Sequence, residues 1–166
     1  MERIKTHGGE ILREPEFVAG RGTLAFFADP NGAILGIVEP LLHNGEIEST
    51  DWIWHELITN DAEAAATWFA EVFELKAEKS ADGKRFILRK NDFQIASVSE
   101  NPFEDTRNQW VPVLAVVNFD GILEKVEELG GQIILPPSEE MNKGQLAMIL
   151  DPNQAPIVIQ KKGAAQ

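Results

Sequence analysis

The stretch "DWIWHELIT" at residues 51–59 concentrates the side chains of this chain that can do chemistry: a carboxylate, Glu56, an imidazole, His55, and two indoles, Trp52 and Trp54. Its aromatic and β-branched content reads as a strand, along which successive side chains point to opposite faces. Trp54, Glu56 and Ile58 therefore share one face, and His55 and Leu57 the other, so Glu56 and His55 cannot hold one ion together. A carboxylate on a largely apolar face must be paired, protonated or in use. Glu56 is thus the candidate catalytic acid or base, or the polar contact that orients a ligand. Its alternative is to accept hydrogen bonds from a neighbouring strand, with Arg89 as the donor in view. Trp52 and Trp54, with Trp110 in the later run "QWVPVLAVV", can line a cavity for a flat organic molecule or pack a core. The chain has no Cys, which removes thiolate nucleophiles and sulfur ligands, and the two remaining histidines, His7 and His43, lie outside residues 51–162.

These residues need elements to hold them. "NDAEAAATWFAEVFEL" spaces Ala65, Trp68, Phe69, Val72 and Phe73 as one face of a helix, with Asn60 or Asp61 as its cap. "FDGILEKVEELGG" predicts a second helix from near Asp120, burying Ile122, Val126 and Leu129 and closing at Gly130. Each helix follows an apolar run of strand character. Each also precedes short strand-like runs: "RFILRK" and "DFQIASVS" after the first, "QIILPP", "GQLAMIL" and "APIVIQ" after the second. The order strand, helix, about three strands occurs twice between Asp51 and Lys162.

The tail of a third such unit stands at the start. Gly8, Gly9, Ile11, Pro15, Leu24, Ala25, Asp29, Pro30 and Asn31 match Gly130, Gly131, Ile133, Pro137, Leu146, Ala147, Asp151, Pro152 and Asn153, always 122 residues apart. Met1 then corresponds to Leu123, inside the second helix, so residues 1–39 read as a partial module that lacks its first strand and most of its helix. Residues 40–50, "PLLHNGEIEST", read as a linker. The apolar strands of the partial module need covering, by the complete domain of their own chain or by the same segment of a second chain. The expectation is a homodimer in which partial modules complete each other.

The paired modules, the "WHELIT-x-D" stretch opening a helix, the "GG-x-I" after the next and the "DPN" turn before the last strand resemble the vicinal oxygen chelate superfamily of glyoxalases, bleomycin-resistance proteins and extradiol dioxygenases. The resemblance implies an α+β fold of paired βαβββ modules, with residues 51–162 one complete two-module domain whose sheets form a cup. In metal-dependent members a His or Gln on the first strand and a Glu on the last strand of each module converge on a divalent ion. Here the first-strand positions fall on Trp54 and Val111. The last-strand positions fall near Val158, near Gly36, and on Gln94 or Ala96. A metal site would have to be built from Glu56, Gln94, Glu100 or Gln160.

A chain of 166 residues with net charge −12 and no basic patch repels a phosphate backbone, which excludes nucleic acid as partner. No apolar run reaches the length of a membrane span, and the reading is of a cytoplasmic protein. The function expected is metal-independent binding of a small apolar or aromatic ligand, without a cofactor. Its site is Trp54, Glu56, Ile58, Gln94 and Trp110, with Glu56 in any catalytic role. The alternatives are a divalent-metal enzyme (lyase, isomerase or dioxygenase) using Zn, Ni, Mn or Fe held by Glu56 and a Gln or Glu of a closing strand, and an interaction module or truncated remnant without ligand.

Overall fold

In the computed structural model, which describes residues 1–41, 51–103 and 107–164, every predicted helix and strand run forms. In chain order the elements are α1 (Glu2–Thr6), β1 (Glu10–Val18), β2 (Gly22–Ala28), β3 (Ile34–Pro40), β4 (Trp52–Thr59), α2 (Ala62–Phe73), β5 (Lys76–Lys79), β6 (Arg85–Lys90), β7 (Phe93–Glu100), β8 (Gln109–Val116), α3 (Phe119–Val126), β9 (Gln132–Leu135), β10 (Leu146–Leu150) and β11 (Pro156–Lys161). A short 3₁₀ turn at Asn142–Gly144 leads into β10. The chain gathers into two compact units, Met1–Glu48 with Glu56–Trp110, and Ser49–His55 with Val111–Gln166. The expected boundaries, 1–39, 40–50 and 51–162, follow the modules; the compact units instead group the partial module with most of the middle one.

In the first unit, β1, β2 and β3 form an antiparallel sheet, and β5, β6, β7 and β4 lie side by side, with β4 parallel to β7. α2 serves both layers. Asp61 caps it by accepting the Ala64 N–H at 2.9 Å. Its apolar side chains join one core with Phe27 from the first sheet, Ala33 from the turn before β3, and Leu57, Leu88, Ala96 and Val98 from the second sheet. Phe27 is fully buried, its ring centroid 6.0 Å from that of Trp68 and 5.7 Å from that of Phe73. The Trp68 indole donates to the His7 carbonyl at 2.7 Å. The partial module is thus covered on one face by a helix of its own chain.

The 122-residue repeat is a repeat of turn chemistry. Gly9 and Gly131 each donate to the carbonyl five residues back, of Ile4 and Val126, at 2.8 Å. Asp29 Oδ1 accepts the Asn31 and Ala33 N–H groups at 2.9 and 2.8 Å, and Asp151 Oδ1 accepts those of Asn153 and Ala155 at 2.8 Å each. Here aspartate folds its own backbone into a turn. The fourth residue of each turn is left-handed, Gly32 in one copy and Gln154 in the other. The repeated residues are therefore absorbed in helix closure and strand reversal.

In the second unit the strand order is β8, β11, β10, β9, with β11 parallel to β8 and antiparallel to β10. α3 contributes Phe119, Ile122 and Leu123 to a core with Val116, Ala147 and Ile159. Leu129, expected to be buried, is 74% exposed, because α3 ends at Val126 and the glycine-closed turn carries Leu129 outward. His43 and most of the expected linker lie outside the described residues.

Candidate functional site

The pleat of β4 sorts its side chains as its alternation predicts. Leu57 is fully buried in the α2 core, while Glu56 lies on the opposite face, level with Ser97 of β7 and half-buried. Ser99, two residues on, donates its hydroxyl to Glu56 Oε1 at 2.5 Å. Ile58, level with Ser99, is 8% exposed, and Ile87 of β6 lies level with Ser97. This face thus joins the Glu56 carboxylate, held by the Ser99 hydroxyl, to the buried Ser97, with Arg85 level with Ser99 and isoleucines at 58 and 87. Arg89, the donor expected from sequence, instead pairs with Glu78 of β5, Nε to Oε2 at 3.0 Å. The serine that takes its place was readable: "SVS" in β7 alternates in phase with Glu56 and Ile58, although only the parallel register of β4 and β7 sets Ser99 beside Glu56.

The other sequence-predicted residues are dispersed. Trp54 is half-buried on β4, and Gln94 is exposed on β7 at an irregularity of the β6–β7 ladder, opposite Arg89. Trp110 is committed to the core of the first unit: its ring meets Phe69 of α2 edge-on, centroids 5.2 Å apart at 88°. Its indole N–H is buried without a hydrogen-bond partner among the described residues. The indole expected to stack on a ligand therefore faces the helix, because the Phe69 side chain offers it an aromatic contact there. His55 is exposed, and His7 Nδ1 lies 2.7 Å from the Arg3 carbonyl in the turn that ends α1. Asn108, unmentioned above, joins two segments: its Oδ1 accepts the Asn60 N–H at 2.7 Å and its amide donates to the Asn31 carbonyl at 2.6 Å.

The donor set does not fit a divalent metal. Of the positions that the resemblance assigns to ligands, Trp54 carries an indole, Val111 and Val158 carry alkyl groups and Gly36 carries no side chain, none with a lone pair a hard cation uses; Gln94, the alternative to Ala96, offers one amide oxygen. Of the substitutes, Glu100 lies on the α2 side of β7 and accepts the Ala62 N–H at 3.0 Å at the start of α2, and Gln160 donates to the Ala164 carbonyl at 3.4 Å. Among the described residues no three of His, Cys, Asp or Glu are grouped to hold an ion.

One further carboxylate stands out in the first unit. Asp29 is 3% exposed, with Oδ2 buried and unpartnered among the described residues. Burial pushes its pKa above the ordinary carboxylate range, against the opposing pull of the N–H groups of Ala33, Asn31 and Gly32. It serves the turn described above.

The paired βαβββ modules define an α+β fold. The chain belongs to the Glyoxalase/Bleomycin resistance protein/Dioxygenase superfamily, whose model matches residues 51–159. It is 26% identical over its whole length to CFP32 of Mycobacterium bovis, a protein carried under a glyoxylase name, and spans 66% of that protein. It is 30% identical over 93% of its length to the anthracycline biosynthesis protein DnrV of Streptomyces peucetius, of which it spans 58%. The chain thus covers about two thirds or less of these relatives. Among solved structures, the Mn(II)-bound glyoxalase of Novosphingobium aromaticivorans superposes on 97% of this chain and 57% of its own, with TM-score 0.60 at 13% identity, a likeness of fold.

Proposed function

We propose that this chain is a metal-independent binder of small apolar or aromatic organic molecules, with the β4–β7 face as the ligand surface and Glu56 as the polar contact that orients the ligand. The observation that carries the reading is the substitution of chemistry at the family's ligand positions: Trp54, Val111 and Val158 cannot ligate an ion, and Gln94 offers a single amide oxygen. Glu56 remains as a carboxylate acceptor pre-oriented by Ser99, suited to a phenol or hydroxyl. The naming of DnrV for anthracycline biosynthesis supports a flat aromatic ligand, the kind that indole and isoleucine surfaces take up.

The test has two arms. A thermal-shift series with polycyclic phenols, including anthracycline-type aromatics, is expected to raise the melting temperature, since a ligand that binds only the folded state stabilises it. Glu56→Gln is expected to weaken binding of the hydroxylated members about tenfold, the loss of one charge-assisted hydrogen bond. Elemental analysis of protein purified without chelator is the second arm. Stoichiometric Mn, Fe, Ni or Zn would replace this reading with that of a metal-dependent lyase, isomerase or dioxygenase.

A further inference from the structure

Resting on the ligand reading above, we propose that Arg85 determines the specificity of the β4–β7 surface, and that the ligand is a hydroxyaryl carboxylate, an aromatic ring system with a hydroxyl at one end and an acid group at the other.

Two ladders fix the layout. Ser99 of β7 lies level with Ile58 of β4 on one side and with Arg85 of β6 on the other, and Ser97 lies level in the same way with Glu56 and Ile87. Residues level across a sheet share a face, and so do residues two apart on one strand. The six side chains therefore stand in two rows, Ile58, Ser99 and Arg85 in one and Glu56, Ser97 and Ile87 in the other. Arg85 and Glu56 occupy diagonal corners, their Cα atoms on the order of 12 Å apart at the usual strand spacing and rise. The Glu56 carboxylate reaches toward the middle of the patch, where Ser99 donates to it at 2.5 Å.

The two arginines of β6 differ in their commitments. Arg89 pairs with Glu78, Nε to Oε2 at 3.0 Å, whereas the Arg85 guanidinium has no ion-pair partner among the described residues. Asp82 in the preceding turn feels its charge, but Asp82 Oδ1 is taken by the Ser80 hydroxyl at 2.5 Å and the Lys84 N–H at 3.1 Å. Burial grades across the patch. Ser97 is fully buried and Ile58 is 8% exposed, Glu56, Ser99 and Ile87 are half-buried, and Arg85 is exposed. A ligand laid along the diagonal puts its hydroxyl on Glu56 at the covered end and its acid group at the open end, where an anion keeps part of its hydration. The guanidinium fork matches a carboxylate with two parallel hydrogen bonds. Without that cation, an acid would meet a chain of net charge −12 and the Glu56 carboxylate, both repulsive.

The probes are hydroxynaphthoate and its methyl ester, titrated against the full chain. The wild type is expected to bind the acid at least about tenfold tighter than the ester, the gain of one charge-assisted pair. Arg85→Gln is expected to reverse that preference and Arg85→Lys to keep part of it, while Lys84→Gln, which removes the same unit of charge from the next residue, keeps the wild-type ratio. Arg85 is exposed, so these variants are expected to melt with the wild type. If the ester binds as tightly as the acid, or if Lys84→Gln changes the ratio as much as Arg85→Gln, the assignment of Arg85 is overturned and the ligand reading stands. If neither acid nor ester binds, and the neutral phenols do not bind either, both fall.

Discussion

Asp29 and Asp151 show how one residue in one motif acquires different physics from burial. Both fold the same turn, yet Asp29 is 3% exposed with an unpartnered Oδ2, whereas Asp151 is half-buried. A carboxyl whose folded-state pKa is raised binds its proton more tightly in the native state. Its stabilising contribution is therefore full below the unfolded value of 3.8 and is lost as pH rises through the folded value. Asp29→Asn retains the Oδ1 acceptor and removes the charge. The gap in melting temperature between variant and wild type is expected to widen in favour of the variant as pH rises from about 3.5 to 7. A gap that stays constant across that range would show that the carboxyl does not titrate with folding. Glu56 illustrates the complementary case, a carboxylate half-buried but met by the Ser99 hydroxyl.

At the scale of elements, α2 decides the arrangement of the first unit. It was readable as a helix from the spacing of Trp68, Phe69, Val72 and Phe73, but a helix with apolar groups around much of its circumference is one that two layers cover. Phe27→Ala removes the ring that β2 inserts beside Trp68 and Phe73 and is expected to cost about 3–5 kcal/mol in chemical denaturation. The paired glycines make a matched prediction. A β-carbon on Gly9 would stand 2.7 Å from Ile4 Cγ2 and 3.0 Å from the Ala28 carbonyl oxygen. One on Gly131 would stand 2.6 Å from the Leu150 carbonyl oxygen. Gly9→Ala and Gly131→Ala are both expected to destabilise by about 1–3 kcal/mol, because helix end and strand end must separate. Neutral effects at both positions would show that the repeat serves something other than close approach.

At the scale of the whole molecule, charge sets which partners can approach. With a net charge of −12 the chain is expected to show no affinity for duplex DNA at physiological salt, checked by fluorescence anisotropy with a labelled duplex. Light scattering bears on the expectation of a homodimer through residues 1–39. Because α2 of the same chain already covers one face of β1–β3, a monomer of 18.4 kDa is compatible with a covered partial module. Among the described residues no helix is long and apolar enough to cross a membrane.

The sequence by itself determined the module order, a cap at Asn60 or Asp61 for the first long helix, the glycine and aspartate turns, and the opposition of Glu56 to His55 along one strand. All of these are settled within a few residues of chain, where hydrogen-bond geometry and side-chain alternation act. Tertiary structure decided which distant group meets each side chain. Ser99 rather than Arg89 faces Glu56 across 43 positions, Trp110 turns to Phe69 instead of a ligand surface, and β1–β3 settle on α2. Those choices follow from sheet register and from competition between packing partners, and neither is written in the spacing of neighbouring residues.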